Sequence, residues 1–235
     1  MKPYSKIPIQ DCGEPLVPIA LENICLEDPA PYVFLGADYQ GKSPYCLRTG
    51  VLTALAQAQD NLSQCQPGWK IKVFDAYRPI AVQQFMVDYT FGQILARDKL
   101  TLEQLSEAQR QQILEEVYQI WAIPSHDPAT PPPHSTGAAL DITLINELGQ
   151  AVAMGGEIDE LSPRSQPNFY QQATDQEAQI YHYHRCLLND LMESVGFLRH
   201  PGEWWHFSLG DQLWAWQYNQ RNAIAHRIAH YGRVE

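Results

Sequence analysis

Apolar positions along the chain change their period several times, and each change predicts an element. From Thr49 to Leu62 the residues Leu52, Leu55 and Leu62 share one side of a helix. Pro67-Gly68 marks a turn. Trp69, Ile71 and Val73 then alternate with Lys70 and Lys72, the pattern of a half-buried strand that runs into Asp75-Ala76-Tyr77-Arg78. Pro79 suits the first position of a helix continued by Val82, Phe85, Met86 and Tyr89. Ser106 and Gln109 form a capping box for a third helix, striped by Ile113, Val117, Ile120 and Trp121. The proline-rich stretch from Pro124 to Pro133 must be a loop. Alternation returns from Ala139 to Leu144, with Leu140, Ile142 and Leu144 on one face and Ala139, Asp141 and Thr143 on the other. Thr174 and Glu177 read as a second capping box, opening a long helix with a stripe of Ile180, Leu187, Leu188, Leu191 and Val195 and a closing Gly196. A turn at Pro201-Gly202 leads into an aromatic strand, Trp204 to Ser208. His226 and His230, four apart, would share one face of a terminal helix. The N-terminal ~45 residues show no long period. Strands this few and short do not make a doubly wound sheet, so the expected class is α+β, a small antiparallel sheet packed with helices.

Composition narrows the class of function. The chain has 235 residues, 45% of them hydrophobic, which suits one domain over residues 1–235 with a sizeable core. Charged residues are 18%, the reverse of a disordered chain. A net charge of −11 would repel nucleic acid or an anionic membrane surface, so neither is an expected partner. No apolar run approaches the ~18 residues of a membrane span. Residues 1–11 hold no continuous apolar stretch of the secretory kind, which predicts a cytoplasmic protein. The five cysteines are scattered, without a C-x-x-C pair, and read as reduced thiols.

Two segments carry candidate chemistry. In His134-Ser135-Thr136-Gly137-Ala138-Ala139-Leu140-Asp141, a histidine ends a rigid Pro131-Pro132-Pro133 run. Asp141 projects from the strand face opposite the apolar residues, and a carboxylate there needs water, a cation or a metal. In Glu203-Trp204-Trp205-His206-Phe207, an acid and a histidine sit among large aromatics. His134, Asp141 and His206 together would offer Zn²⁺ two nitrogens and one oxygen and leave a fourth position for water. Glu203, three residues from a ligand, could serve as general base. Spacing alone leaves this open against ordinary core and surface polar residues. Ser125-His126-Asp127 holds catalytic residue types, but neighbours in a loop rarely face one another and no G-x-S-x-G elbow is present. His184 reads as a satisfied core histidine on its helix stripe, and His200 as a residue that could line a pocket near Glu203.

The two segments together resemble the zinc D-alanyl-D-alanine dipeptidases, the VanX-like group of zinc peptidases. Their pattern is S-x-H-x-x-G-x-A-x-D followed by E-x-x-H. Asp75-Ala76-Tyr77-Arg78-Pro79 is similar to the group's arginine motif, and Met154-Gly155-Gly156-Glu157-Ile158-Asp159 to its M-G-x-x-x-D segment. Pro31-Tyr32 sits where the group has a substrate-contacting tyrosine. The order holds over roughly residues 20–215.

The resemblance implies one zinc ion per chain on His134, Asp141 and His206. It implies Glu203 as the base that activates water, Arg78 as the donor to the tetrahedral oxyanion, and Asp159 with Tyr32 at the substrate's free ammonium group. The implied activity is hydrolysis of D-Ala-D-Ala or a close D-containing dipeptide, within peptidoglycan metabolism. Two departures bear on dipeptide preference: Pro132 stands at the pattern's serine, and Asp38-Tyr39 replaces the usual Asn-Phe. The rival readings are a zinc D,D-carboxypeptidase or peptidoglycan endopeptidase, and a non-catalytic zinc-holding module of the same fold. The first should carry a wall-binding or export segment; the second has no need of Glu203 and Arg78.

Overall fold

The structure, a computed structural model, describes residues 2–222, 224 and 226–234. Its elements in chain order are β1 (Leu16–Pro18), β2 (Cys25–Leu26), α1 (Pro31–Phe34), β3 (Cys46–Arg48), α2 (Thr49–Cys65), β4 (Lys70–Asp75) and α3 (Ile80–Asp98). They continue with α4 (Glu107–Val117), β5 (Ala139–Ile145), α5 (Gln176–Glu193), β6 (Leu198–Arg199), β7 (His206–Ser208) and α6 (Gln212–Arg221). Short 3₁₀ turns at Pro3–Lys6 and Pro133–Thr136 matter below.

The class is α+β, as the pattern predicts. A five-stranded sheet runs in the order β2-β4-β5-β7-β6. Its centre is antiparallel, while the edge strand β2 joins β4 in parallel. Each central strand sends alternate residues to one face. Ile71 and Val73 of β4, Leu140, Ile142 and Leu144 of β5 and Phe207 of β7 are fully buried there. They meet Leu55 and Leu62 of α2 and Leu188, Leu191 and Met192 of α5 in one core. The other face carries Asp75, Asp141, His206 and Ser208, all nearly inaccessible. A second apolar cluster, from Tyr32 of α1, Val82 and Met86 of α3, Ile113 and Val117 of α4, and Trp121, stands beside that face.

Several predicted boundaries move. Asp75 ends β4, and Pro79 is the N-cap of α3, one place before the first helical residue. The Ser106 box caps α4 as expected, but the helix stops at Val117, with Trp121 buried beyond its end. Helix α5 is capped by Asp175, whose Oδ1 accepts from the Ala178 N–H at 2.8 Å, in place of Thr174. An aspartate one residue on offers the same acceptor with a charge that suits a helix N-terminus. Ile180 on its predicted stripe is 44% exposed, and the helix instead buries Arg185, which was not on that stripe. The aromatic strand begins at His206, because the Trp204 N–H is drawn to Ser165 O instead of a strand partner. His226 and His230 lie in extended chain, where Ala229 bridges to Ile9, and share no helix. No described helix is long and apolar enough to cross a membrane.

Gly137 joins the His134 turn to β5 with φ +69°. A Cβ there would stand 2.5 Å from Leu16 Cδ1. Gly137→Ala therefore meets both backbone strain and a clash, and should lose about 1–3 kcal/mol of stability. Thermal unfolding should register this as a fall of about 2–4 °C per kcal/mol lost.

Candidate active site

Strand register assembles the site. Asp75 on β4 pairs with Asp141 on β5, and Asp141 pairs with His206 on β7. Directly opposed residues of antiparallel strands point to the same face, so three chemically active side chains form one row across three strands. A register shift between Val73 and Asp75 bends β4 at that row. His134 arrives from outside the sheet on the Pro133–Thr136 turn, whose Gly137 end hands the chain to β5.

The histidines are oriented by what holds their outer nitrogens. His134 Nδ1 lies 2.6 Å from Ala76 O, a carbonyl that can only accept, so Nδ1 carries the proton and Nε2 faces the row. His206 Nε2 lies 3.3 Å from Ser208 Oγ, which donates its own proton to Asp211 Oδ2 at 2.8 Å. Ser208 must then accept from Nε2–H, and His206 Nδ1 faces the row. His134 Nε2 stands 3.1 Å from His206 Nδ1 and 3.3 Å from Asp141 Oδ2, and His206 Nδ1 stands 3.1 Å from Asp141 Oδ1. In the neutral tautomers two lone pairs and a carboxylate converge, an arrangement that a cation satisfies. Ligands about 2.0–2.1 Å from a tetrahedral Zn²⁺ lie about 3.3 Å apart, which these spacings match. The three residues also form a buried group able to hold a metal ion, all ligand atoms within 4.8 Å of one another. Burial alone would raise the Asp141 carboxyl, but His134 and His206, in direct contact with it, hold it below the usual carboxylate range.

Arg78 faces the row from just beyond β4. Its Nη2 is 2.9 Å from Asp75 Oδ2 and 3.3 Å from Asp141 Oδ2, so one guanidinium sits between the two opposed carboxylates. Nη1 donates to Gln83 Oε1 at 3.0 Å, and Gln83 is held in turn by Ala122 O. The guanidinium carbon lies 4.7 Å from the Tyr32 ring centre and 5.0 Å from that of Trp121. Tyr32 accepts from Arg78 Nη2 at 3.1 Å and donates to Asp159 Oδ2 at 2.8 Å. Burial and the charge of Asp141 push the Asp159 carboxyl up to about 7, against the pull of Arg78 and Tyr32.

Glu203 closes the other side, with Oε2 3.8 Å from His206 Nδ1 and Oε1 3.4 Å from His200 Nδ1. Burial, then Asp141 and Asp159, push its carboxyl well above the usual range. Burial pushes His200 down, so that imidazole is neutral. His134, Asp141, His206, Arg78, Asp159, Glu203 and His200 line one pocket, shared with Trp121, Trp205 and Leu213. A raised carboxylate beside a metal-competent trio, facing a rigid guanidinium, can perform water-mediated hydrolysis of a polar carbonyl compound.

The sequence profile of the M15 peptidases described as D-Ala-D-Ala dipeptidase matches residues 27–225. The chain belongs to this family. A D-alanyl-D-alanine dipeptidase of Synechocystis sp. is 63% identical over 100% of this chain and 98% of its own length. One from Enterococcus faecalis is 27% identical over 68% of this chain and 71% of its own. The solved LdcB LD-carboxypeptidase overlays with a TM-score of 0.48 and 16% identity, covering 93% of this chain and 79% of its own.

In this member of the dipeptidase family, all seven residues singled out by the motifs border the same pocket or hold a residue that does. Six of them line it, and Tyr32 stands behind, joined to Arg78 and Asp159. His200 lines the pocket as the sequence suggested. His184 is half-buried and bonded to Ala153 O at 2.8 Å. Ser125 bonds to Thr130 in its own loop, away from the pocket residues. The supporting residues were less visible. Asp75 was inside the arginine motif, but nothing in that motif tells which charge the arginine holds. Tyr39, one of the departures, donates to Asp75 Oδ1 at 3.0 Å. Asp211 caps α6 through Oδ1 while Oδ2 holds Ser208, and only the cap could be read, from its place before Trp214.

The raised Asp159 carboxyl has a consequence for stability. An aspartate in the unfolded chain titrates at about 3.9, so the folded protein holds this proton over a range where the unfolded chain has lost it. Its contribution is fully present below the unfolded value and is lost as pH rises to about 7 and the folded group ionises. Asn at this position stays neutral, accepts from Tyr32 and tolerates the observed φ of +64°. In chelator-treated protein, the melting temperature of Asp159→Asn relative to wild type should rise between about pH 5 and about pH 8. A flat difference would show that Asp159 ionises without cost.

Proposed function

We propose that the chain acts as a single-domain zinc dipeptidase that hydrolyses D-Ala-D-Ala, with His134, Asp141 and His206 as metal ligands. The observation that carries this reading is the convergence of His134 Nε2, His206 Nδ1 and the Asp141 carboxylate at 3.1–3.3 Å in the pocket that also holds Glu203. The full-length relationship to the Synechocystis dipeptidase supports the substrate. A Zn²⁺ ion held there supplies Lewis acidity, polarising the scissile carbonyl and making water easier to deprotonate.

The chain's own groups do the rest. Glu203 takes the proton from the attacking water and passes it to the amine that leaves. Its raised proton affinity suits the second half of that task, and a nearby cation lowers it for the first. Arg78, fixed by Asp75, Gln83 and two aromatic faces, directs N–H groups toward the corner where negative charge develops. Asp159, oriented by Tyr32, receives the substrate's ammonium group. A free dipeptide satisfies that carboxylate, while an N-acylated or longer peptide leaves it unpaired, which disfavours a carboxypeptidase activity.

The test is hydrolysis of D-Ala-D-Ala, its N-acetyl form and a D-Ala-D-Ala-ended tripeptide, with metal analysis on the same samples. Wild type should hold one zinc and prefer the free dipeptide. His206→Ala should lose both zinc and activity, whereas Glu203→Ala should keep zinc and lose about 10²–10⁴-fold in turnover. Equal cleavage of all three compounds would favour the carboxypeptidase reading instead.

Arg78→Lys preserves charge but not the planar fork that spans Asp75, Gln83 and Tyr32. Turnover should fall about 10²–10³-fold with zinc retained. A lysine variant with wild-type turnover would reduce Arg78 to a structural ion pair.

A further inference from the structure

The reactive pocket is lined in part by a segment far from every motif. The 3₁₀ turn Pro3–Lys6 packs beside α6, placing Tyr4 in the interior and Lys2 at the pocket's edge. Lys2 Nζ reaches across to donate to Tyr118 O at 2.9 Å, at the end of α4. Lys2 and Tyr4 also border a neighbouring cleft walled by Pro131 and Pro132. Lys2 thus stands between the proline wall and the catalytic groups.

A free dipeptide brings a positive and a negative end. The positive end has Asp159. The negative end needs a cation or a hydrogen-bond donor of its own in the same pocket. Arg78 is already paired with Asp75 and Asp141 and faces the corner assigned to the oxyanion. The proline wall offers nothing, since proline has neither a side-chain donor nor a backbone N–H. At Pro132 the family pattern has a serine, so a hydroxyl donor is replaced here by a residue with none. Among the described residues lining the pocket, Lys2 is the one cation without a carboxylate partner. An ammonium has three donors, and the bond to Tyr118 O uses one.

We propose that Lys2 recognises the free terminal carboxylate of the dipeptide. This rests on the dipeptidase reading above and adds a specificity residue to it. Asp159 and Lys2 then read the two ends of a zwitterion. A chain one residue longer at either end leaves one of the two charges unmatched.

The experiment compares D-Ala-D-Ala with its C-terminal amide in wild type, Lys2→Met and Lys2→Arg. The amide is measured as substrate or, where turnover is too slow, as competitive inhibitor. Methionine keeps a flexible stem of similar length and removes the charge. A charge-assisted hydrogen bond of this kind corresponds to a fall of about 10- to 100-fold in the preference for acid over amide, mainly through KM. Arginine should restore most of that preference. If Lys2→Met weakens acid and amide alike, or neither, Lys2 only straps the N-terminal turn to α4, and the proposal is overturned. If wild type cleaves neither compound, the dipeptidase reading falls first and this assignment with it; a wild type that cleaves D-Ala-D-Ala isolates the fate of Lys2.

Discussion

The geometry of the polar sheet face depends on one buried guanidinium. Strand register sets Asp75 directly opposite Asp141, and like charges in that relation repel. Arg78 lies against both and turns a destabilising pair into a framework. The arrangement is sensitive to loss. Removing one member of such a buried set leaves an uncompensated charge, typically costing about 3–5 kcal/mol. The tie also gives Arg78 a fixed direction.

Around that framework several ionisable groups are oriented by a second one. Ala76 O selects the tautomer of His134, and the Ser208–Asp211 pair selects that of His206. Tyr39 braces Asp75, and Tyr32 links Arg78 to Asp159. Because the sheet face is dry, these bonds are strong and unpaired groups are costly. The same dryness pushes Glu203 and Asp159 toward their protonated forms, so neighbouring cations control when they ionise. Charge balance therefore organises the polar face, while the larger apolar core lies on the opposite face of the sheet.

Much of this was legible in the chain. Alternation in β4 and β5 identified the strands, capping and stripe identified α4, and the helical stripe located α5. The H-S-T-G-A-A-L-D and E-W-W-H-F segments offered candidate ligands and a base by residue type, and the resemblance to the zinc dipeptidases singled them out and added the arginine of D-A-Y-R-P. Local signals were weaker at boundaries. Thr174 and Asp175 both cap well in isolation, and only the path of the chain into α5 favours Asp175. His226 and His230 have helical spacing, but pairing of Ala229 with Ile9 holds that stretch extended.

While the register shift in β4 turned Asp75 to the polar face, the sequence by itself determined the class of fold, the two faces of β5 and the residue types at the site. These follow from local periodicity and from motifs a few residues long. Tertiary structure alone decided which charges meet. Asp75 lies 66 residues before Asp141 in sequence but directly opposite it in the sheet, Tyr32 reaches Asp159 across 127 positions, and Lys2 reaches Tyr118 across 116. No local pattern encodes such pairs. They arise when register and packing bring distant segments into a dry pocket, where each charge must find a partner.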